Sequence, residues 1–367
     1  MHQTLMDEIA AKRRRLLDWM ANRGLEAVYL SRVSNFAWLT GGLEPVVMLS
    51  SDRAEAGLLI TPERSYVVCN SIEHPRLRDE DRLEYQGYAF HVSPWHDGWP
   101  EFGTLVRGRT WAADWPLPSS QDLSAEISRL HFQLLPQEVE RYRILGLATA
   151  SALERAARQV RPGMSEMEIA GRLAAEAMKQ SVTPTLLLVG ADDRVFRYRH
   201  PIPTTRALES YAMLVICGRR WGLVASATRL VHFGRPSKEL RLKQEACAVV
   251  DATFNVATRV GALVSEVFAR GALAYQEVGF PEEWRRHNQG GAAGYESRDY
   301  EGTPACQEVV LAEQAFAWNP SIAGVKSEDT VLVHTRGLEF LTSTRDWPTL
   351  RISVDGLEVE RPAILVR

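Results

Sequence analysis

The chain is poor in cysteine, and its four residues of that type, Cys69, Cys217, Cys247 and Cys306, show no C-x-x-C spacing. This argues against a disulfide framework or a zinc ribbon and fits free thiols in a reducing compartment. No apolar run approaches the roughly 20 residues a membrane span needs, and the N-terminus is too charged for a secretory signal. A soluble, cytoplasmic protein with no membrane partner is therefore expected. Excess charge is also missing: the formal balance is −3, so no basic field would gather nucleic acid. The one basic cluster, Lys12-Arg13-Arg14-Arg15, is followed at once by Leu16, Leu17, Trp19 and Met20. That pattern reads as an amphipathic helix with a solvated face. Repeats of 20 to 50 residues and low-complexity tracts are absent.

What is present is enough chain for two domains, 367 residues, beyond one typical core. Residues 1–135 alternate helix and strand: a helix over Leu5 to Asn22, a strand from Glu26 to Leu30, then apolar runs Val46 to Leu49, Ala56 to Ile60 and Tyr66 to Cys69. Short strands between helices predict a modest α/β layer. The tract Ser93 to Pro100, with Trp95 and Trp99 among Pro, Asp and Gly, reads as a loop whose aromatics cover a core edge. A boundary is expected near Leu135-Pro136, where a long helix begins and runs from Glu138 to Val160. Ser165 and Glu168 then form a capping box for the next helix. Strands Thr185 to Val189, Ala212 to Cys217 and Leu223 to Thr228 follow, the last two joined by the tight turn Gly218 to Gly222. Helices near Ser237 to Thr258 and Val264 to Val278 come next. Strands at Gln307 to Leu311, Ala315 to Trp318, Thr330 to Thr335 and Leu350 to Val354 complete an α+β order over 136–367.

Five landmarks carry a family likeness. They are Arg199-His200-Pro201-Ile202-Pro203-Thr204, the hairpin ending Thr228-Arg229, His287-Asn288-Gln289-Gly290-Gly291, Asn319-Pro320, and Ser327-Glu328-Asp329. In order, they are similar to the HxxPT, DxTR, HGxGH, Glu-Pro and (R)xED segments of the pita-bread enzymes methionine aminopeptidase, aminopeptidase P, prolidase and creatinase. The resemblance implies an α+β pita-bread domain over 136–367, preceded by the smaller α/β domain that creatinase and the proline-specific peptidases carry. It also implies a homodimer and a small-molecule substrate.

The likeness fails where the family holds two metal ions. Carried over residue by residue, the five ligand positions fall on Val215, Ser226, Gly291, Asn319 and Glu328, and only Glu328 can bind a cation well. Bridging carboxylates set the charge and separation of such a pair so that bound water ionises near neutral pH. Valine offers no oxygen. No cofactor is therefore expected.

Creatinase shows that this fold can work without metal, through a histidine acting as acid and base. His200 lies in the segment resembling the one that carries that histidine, and an imidazole can both take and give a proton near neutral pH. The bland alternative is a histidine that hydrogen-bonds the following turn. His287 sits in a Gly-rich loop, where Asn288 and Gln289 could fix a carboxylate or amide, or simply close a tight turn. Tyr295 and Arg298 follow in a polar segment, so they either line the pocket or face water, and the planar fork of Arg298 suits a substrate carboxylate. Glu328 could hold a substrate cation, orient a histidine, or serve as buried partner of Lys326 or Arg229. Ser226 and Asn319 keep two former ligand positions polar. Cys217 is either activated by Arg219 and Arg220 or buried and inert. In the first half, Asn35 to Gly42 is similar to the family's YLTG segment, where Phe36 and Trp38 would form an aromatic wall or ordinary core.

The leading expectation is a metal-independent, creatinase-like hydrolase or lyase acting on a C–N bond of a small carboxylate-bearing amino-acid derivative. His200, His287 and Glu328 would be its catalytic groups. Two alternatives stay open: an inactive peptidase-like protein used for ligand or partner binding, as in certain histone chaperone subunits, and an Xaa-Pro-type metallopeptidase with a reduced metal site.

Overall fold

The computed structural model describes residues 2–97 and 102–367, so Trp99 lies outside the described residues. The chain forms two compact units, one of Met1–His131, Leu135–Glu138 and Trp221–Leu223, the other of Phe132–Leu134, Val139–Arg220 and Val224–Arg367.

The first unit is a mixed six-stranded sheet in the order β4-β3-β2-β1-β5-β6, with β1 Ala27–Arg32, β2 Arg53–Ile60, β3 Ser65–Asn70, β4 Tyr88–Ser93, β5 Trp111–Ala113 and β6 Gln121–Asp122. Helix α1 (His2–Asn22) departs from the expected solvated basic face at one residue. Lys12 is fully buried and pairs with Glu8 at 2.6 Å and Glu138 at 2.8 Å, because a buried ammonium survives only with partners. Helix α2 (Val33–Thr40) buries all eight residues and ends at Gly41, whose φ of 73° closes the helix in the left-handed region. Two expected features differ. Val46 to Leu49 pairs with no strand, and Val47, Met48 and Leu49 stand exposed. Trp95 is exposed too, rather than covering a core edge.

In the second unit, α3 (Pro136–Gln159) precedes α4 (Glu166–Met178), which opens on the complete Ser165/Glu168 capping box. Strands β7 (Thr183–Ala191), β8 (Tyr211–Arg220) and β9 (Leu223–His232) form one sheet with the terminal β19 (Leu365–Val366). A second sheet runs β11-β10-β12-β15-β16, made of β10 Gly290–Ala293, β11 Tyr300–Glu301, β12 Gln314–Trp318, β15 Asp329–His334 and β16 Gly337–Phe340. Two short hairpins, β13 (Ser321–Ile322) with β14 (Val325–Lys326) and β17 (Thr349–Val354) with β18 (Leu357–Pro362), complete the unit. Helices α5 (Lys238–Ala257) and α6 (Val264–Glu277) bury their apolar faces in one cluster with both sheets. Together these elements form the α+β pita-bread fold.

The core fixes the ends of the site-bearing strands. Trp318 stacks on Phe254 at 4.6 Å and on Phe316 at 5.9 Å, while its indole N–H donates to Thr258 Oγ1 at 2.9 Å. Burying such a side chain contributes about 2–3 kcal/mol, and it anchors the strand that delivers Asn319. The expected strand Gln307 to Leu311 is reduced to one isolated bridge, Val309 with Leu263. No described helix is long and apolar enough to cross a membrane.

Candidate functional site

Glu166, in the first turn of α4, holds the loop that presents His200. Buried itself, it accepts from Ala191 N (2.8 Å), Arg194 Nε (2.8 Å), Thr204 N (2.8 Å) and Thr204 Oγ1 (2.6 Å). Arg194 also donates to Ile202 O at 2.7 Å. Four charge-assisted bonds to one carboxylate leave the Pro201–Pro203 segment little freedom. His200 Nε2 lies 3.1 Å from His287 Nε2, with ring centroids 5.0 Å apart.

The loop under His287 is tied in the same way. Gln289 is buried, accepts from Tyr275 Oη–H at 2.9 Å, and donates to His287 O at 2.7 Å and Trp284 O at 3.2 Å. Its amide is therefore used inside the protein, which corrects the expectation that it binds ligand. Asn288 Oδ1 accepts from Gly290 N at 2.7 Å, so its acceptor end closes the turn. On its far side, His287 Nδ1 lies 2.9 Å from Ser321 Oγ. Ser321 also accepts from Arg199 Nη1 at 3.3 Å, and Arg199 is paired with Glu283. Burial, followed by the charge of Lys326 and then His200, pushes His287 down to about 3. Burial and Lys326 lower His200 as well, with Glu328 acting the other way. Both rings are thus neutral at physiological pH.

Glu328 is buried and fully engaged. Its Oε2 meets Lys326 Nζ at 2.8 Å and accepts from Thr228 Oγ1 at 2.7 Å, while Oε1 lies 3.3 Å from Arg298 Nη2. Burial alone would raise this carboxyl, but Lys326, then Arg298 and Thr228, bring it down to about 2. Two cations on one carboxylate leave this corner net positive. The suggestion that Glu328 receives a substrate cation is corrected accordingly, since a further cation would meet an already compensated charge.

Three other residues singled out in the sequence are buried. Arg229 is buried in a separate network, with Glu154 and Asp329 at 3.1 and 3.0 Å. Asp329 also pairs with Arg361 at 3.0 Å, and Arg361 meets Asp251 at 2.6 Å. This lattice braces the chain on either side of Glu328. Trp38 belongs to the first unit, where α2 buries it completely. Tyr295 is buried rather than facing water. Cys217 is buried, its thiol raised by burial first and by Glu328 second, and Ser226 Oγ donates to its sulfur at 3.2 Å. That is the inert alternative.

Sequence reasoning missed Ser321 and Arg199, and it named Lys326 only as a structural partner. A usable signal existed for Lys326. It sits two residues before Glu328 on extended chain, where alternate side chains share a face.

Residues 140–335, more than half of the chain, match the model of metallopeptidase family M24. The chain belongs to that family. Residues 12–143 match the creatinase/prolidase N-terminal domain. An Xaa-Pro dipeptidase of Lactobacillus helveticus is 21% identical over 365 residues, covering 90% of this chain and 96% of that protein. Among solved structures, the Xaa-Pro dipeptidase from Bacillus anthracis has a TM-score of 0.77 at 16% identity, covering 98% of this chain and 100% of that one. The N-terminal domain of FACT complex subunit SPT16 from Cicer arietinum shares the fold at a TM-score of 0.69 and 11% identity, covering 92% and 96%.

The M24 name implies metal ions, and the donor set does not fit them. Val215 packs in the apolar cluster, opposite Leu188 in the β7/β8 pairing. At Gly291 a Cβ would fall 2.2 Å from the Tyr300 carbonyl oxygen, so no side chain of any kind can project there. Ser226 spends its hydroxyl on Cys217. Asn319 Oδ1 is buried without a hydrogen-bond partner, a single neutral donor. Among the described residues no three His, Cys, Asp or Glu side chains converge as a metal site. The residues at these positions do not fit a pair of metal ions.

Proposed function

We propose that this protein is a metal-independent M24 member that binds a small, carboxylate-bearing, amino-acid-like molecule and hydrolyses or eliminates at its C–N bond. One observation carries the reading: where a carboxylate cage would hold cations, Lys326 and Arg298 stand against the single carboxylate of Glu328. A site with one cation in excess suits an anion, and Arg298 offers a fork that grips both carboxylate oxygens. The neutral pair His200 and His287 supplies nitrogen atoms that can hold or move a proton beside it. Amide hydrolysis without metal faces a high barrier, so an activated amidine or N-hydroxy compound fits better than an ordinary peptide.

Two measurements test this. Element analysis of protein purified without added ions is expected to find no stoichiometric metal, and a tightly bound pair would overturn the reading in favour of a metallopeptidase. Calorimetric titration with small acylated or guanidino amino acids is expected to show binding that Lys326→Met and Arg298→Gln weaken about tenfold each, near 1.4 kcal/mol. A binding role without turnover is favoured by a different feature. Each reactive group here is already occupied: Cys217 is buried, Glu328 is paired, and His200 Nε2 faces His287. Binding without turnover across such a series would select that role.

A further inference from the structure

The direction of every proton in the chain Arg199, Ser321, His287, His200 follows from its first member. A guanidinium only donates. Arg199 Nη1 therefore uses a lone pair of Ser321 Oγ, at 3.3 Å, while its other arm is held by Glu283. Ser321 is buried, and its own hydroxyl hydrogen needs an acceptor. Among the described residues His287 Nδ1, 2.9 Å away, is its only side-chain hydrogen-bond neighbour besides Arg199. If Nδ1 carried the proton instead, the hydroxyl hydrogen would be buried without a partner, at a cost of about 1–3 kcal/mol.

We infer that Arg199 and Ser321 are positioning residues that fix His287 as the Nε2–H tautomer and thereby His200 as the Nδ1–H tautomer. His287 Nε2–H donates to His200 Nε2 across 3.1 Å, so the lone pair of His200 is committed. Its Nδ1–H, for which the described residues supply no acceptor, is left for a ligand. A free histidine side chain in water favours the Nε2–H tautomer, so the Nδ1–H state of His200 has to be imposed by its surroundings. Tyr275 makes the arrangement rigid: its hydroxyl receives Ser321 N–H at 2.8 Å and reaches Gln289 Oε1 at 2.9 Å, tying both supports of His287 to α6.

The consequence, which rests on the reading above, concerns what His200 meets. At rest it presents a hydrogen, so its ligand contributes an acceptor oxygen, a carboxylate or carbonyl, in keeping with the nearby excess of positive charge. His200 enters the reaction as a neutral donor that polarises an oxygen, rather than as a base with a free lone pair.

Long-range ¹H–¹⁵N correlation on full-length protein labelled with ¹⁵N-histidine, at a pH where both rings are neutral, reads the tautomers directly, with His200→Gln and His287→Gln giving the assignments. Expected are a bare Nδ1 on His287 and a bare Nε2 on His200. In Ser321→Ala the His200 pattern should revert to Nε2–H, and Ser321→Thr should restore it, while the other histidine signals stay put. Protonated Nδ1 on His287 in the wild type would overturn the inference, and this needs no variant to fold. So would unchanged tautomers in folded Ser321→Ala. Titration with a small carboxylate separates the two claims. Correct tautomers with no shift at His200 support this relay and sink the anion-site reading, whereas reversed tautomers with a clear shift sink the relay alone.

Discussion

Replacing Lys326 by methionine keeps most of the side-chain volume and removes one charge 2.8 Å from Glu328 Oε2. In the native protein Glu328 titrates at about 2, against an ordinary 4.5. Each tenfold change in proton affinity is about 1.4 kcal/mol, so this group contributes about 3 kcal/mol of folding stability at neutral pH. The folded value is depressed, so the contribution is present above pH 4.5 and is lost as pH falls towards 2. By the same linkage about 2 kcal/mol of it is already gone at pH 3. Burial raises this carboxyl, and Lys326 is first among the groups that lower it, both through its charge and through its hydrogen bond. Lys326→Met should therefore lose about 3 kcal/mol at pH 7 and much less at pH 3. Urea unfolding of both proteins at the two pH values measures the gap, and other titrating groups cancel in the difference. A gap equal at both pH values would refute the argument, because a packing defect does not titrate.

Val215→Asp, meant to rebuild a ligand, should destabilise by about 3–5 kcal/mol, the cost of an uncompensated buried charge, and should gain no manganese or cobalt by equilibrium dialysis. Glu166→Gln should cost about 3 kcal/mol and speed amide hydrogen exchange over 199–204. Unchanged exchange there would show that the prolines alone hold the His200 loop. His334 is held between Glu313 and Glu339, both at 2.9 Å, and these bonds outweigh burial and raise its pKa. Its stabilisation is thus complete below the unfolded value near 6.5 and disappears as pH rises through the folded one. The melting temperature of His334→Leu should accordingly fall more at pH 6 than at pH 9, corresponding to about 1 kcal/mol at the lower pH.

Elements whose causes are local are legible in the sequence. The Ser165/Glu168 box, the periodic helix after Leu263 and the apolar strands β8 and β9 need only near neighbours and apolar spacing. The sequence also shows valine and glycine, which carry no side-chain oxygen, at Val215 and Gly291, two positions where the family resemblance would place ligands. Gln307 to Leu311 and Val46 to Leu49 read as strands and are not. Their composition suits a strand, but strand formation needs a partner edge, and only tertiary structure says where edges lie.

Tertiary structure alone decided which polar residues are spent. Gln289, Arg229 and Tyr295 look free in sequence, yet the fold assigns the first to Tyr275 and the loop carbonyls, sends the second into the Asp329 network and buries the third. In the other direction, it brought Ser321 and Arg199 to His287 across separations of 34 and 88 positions. Hydrogen-bond direction and compensation of charge are properties of atoms within a few ångströms of one another. No spacing along the chain encodes them.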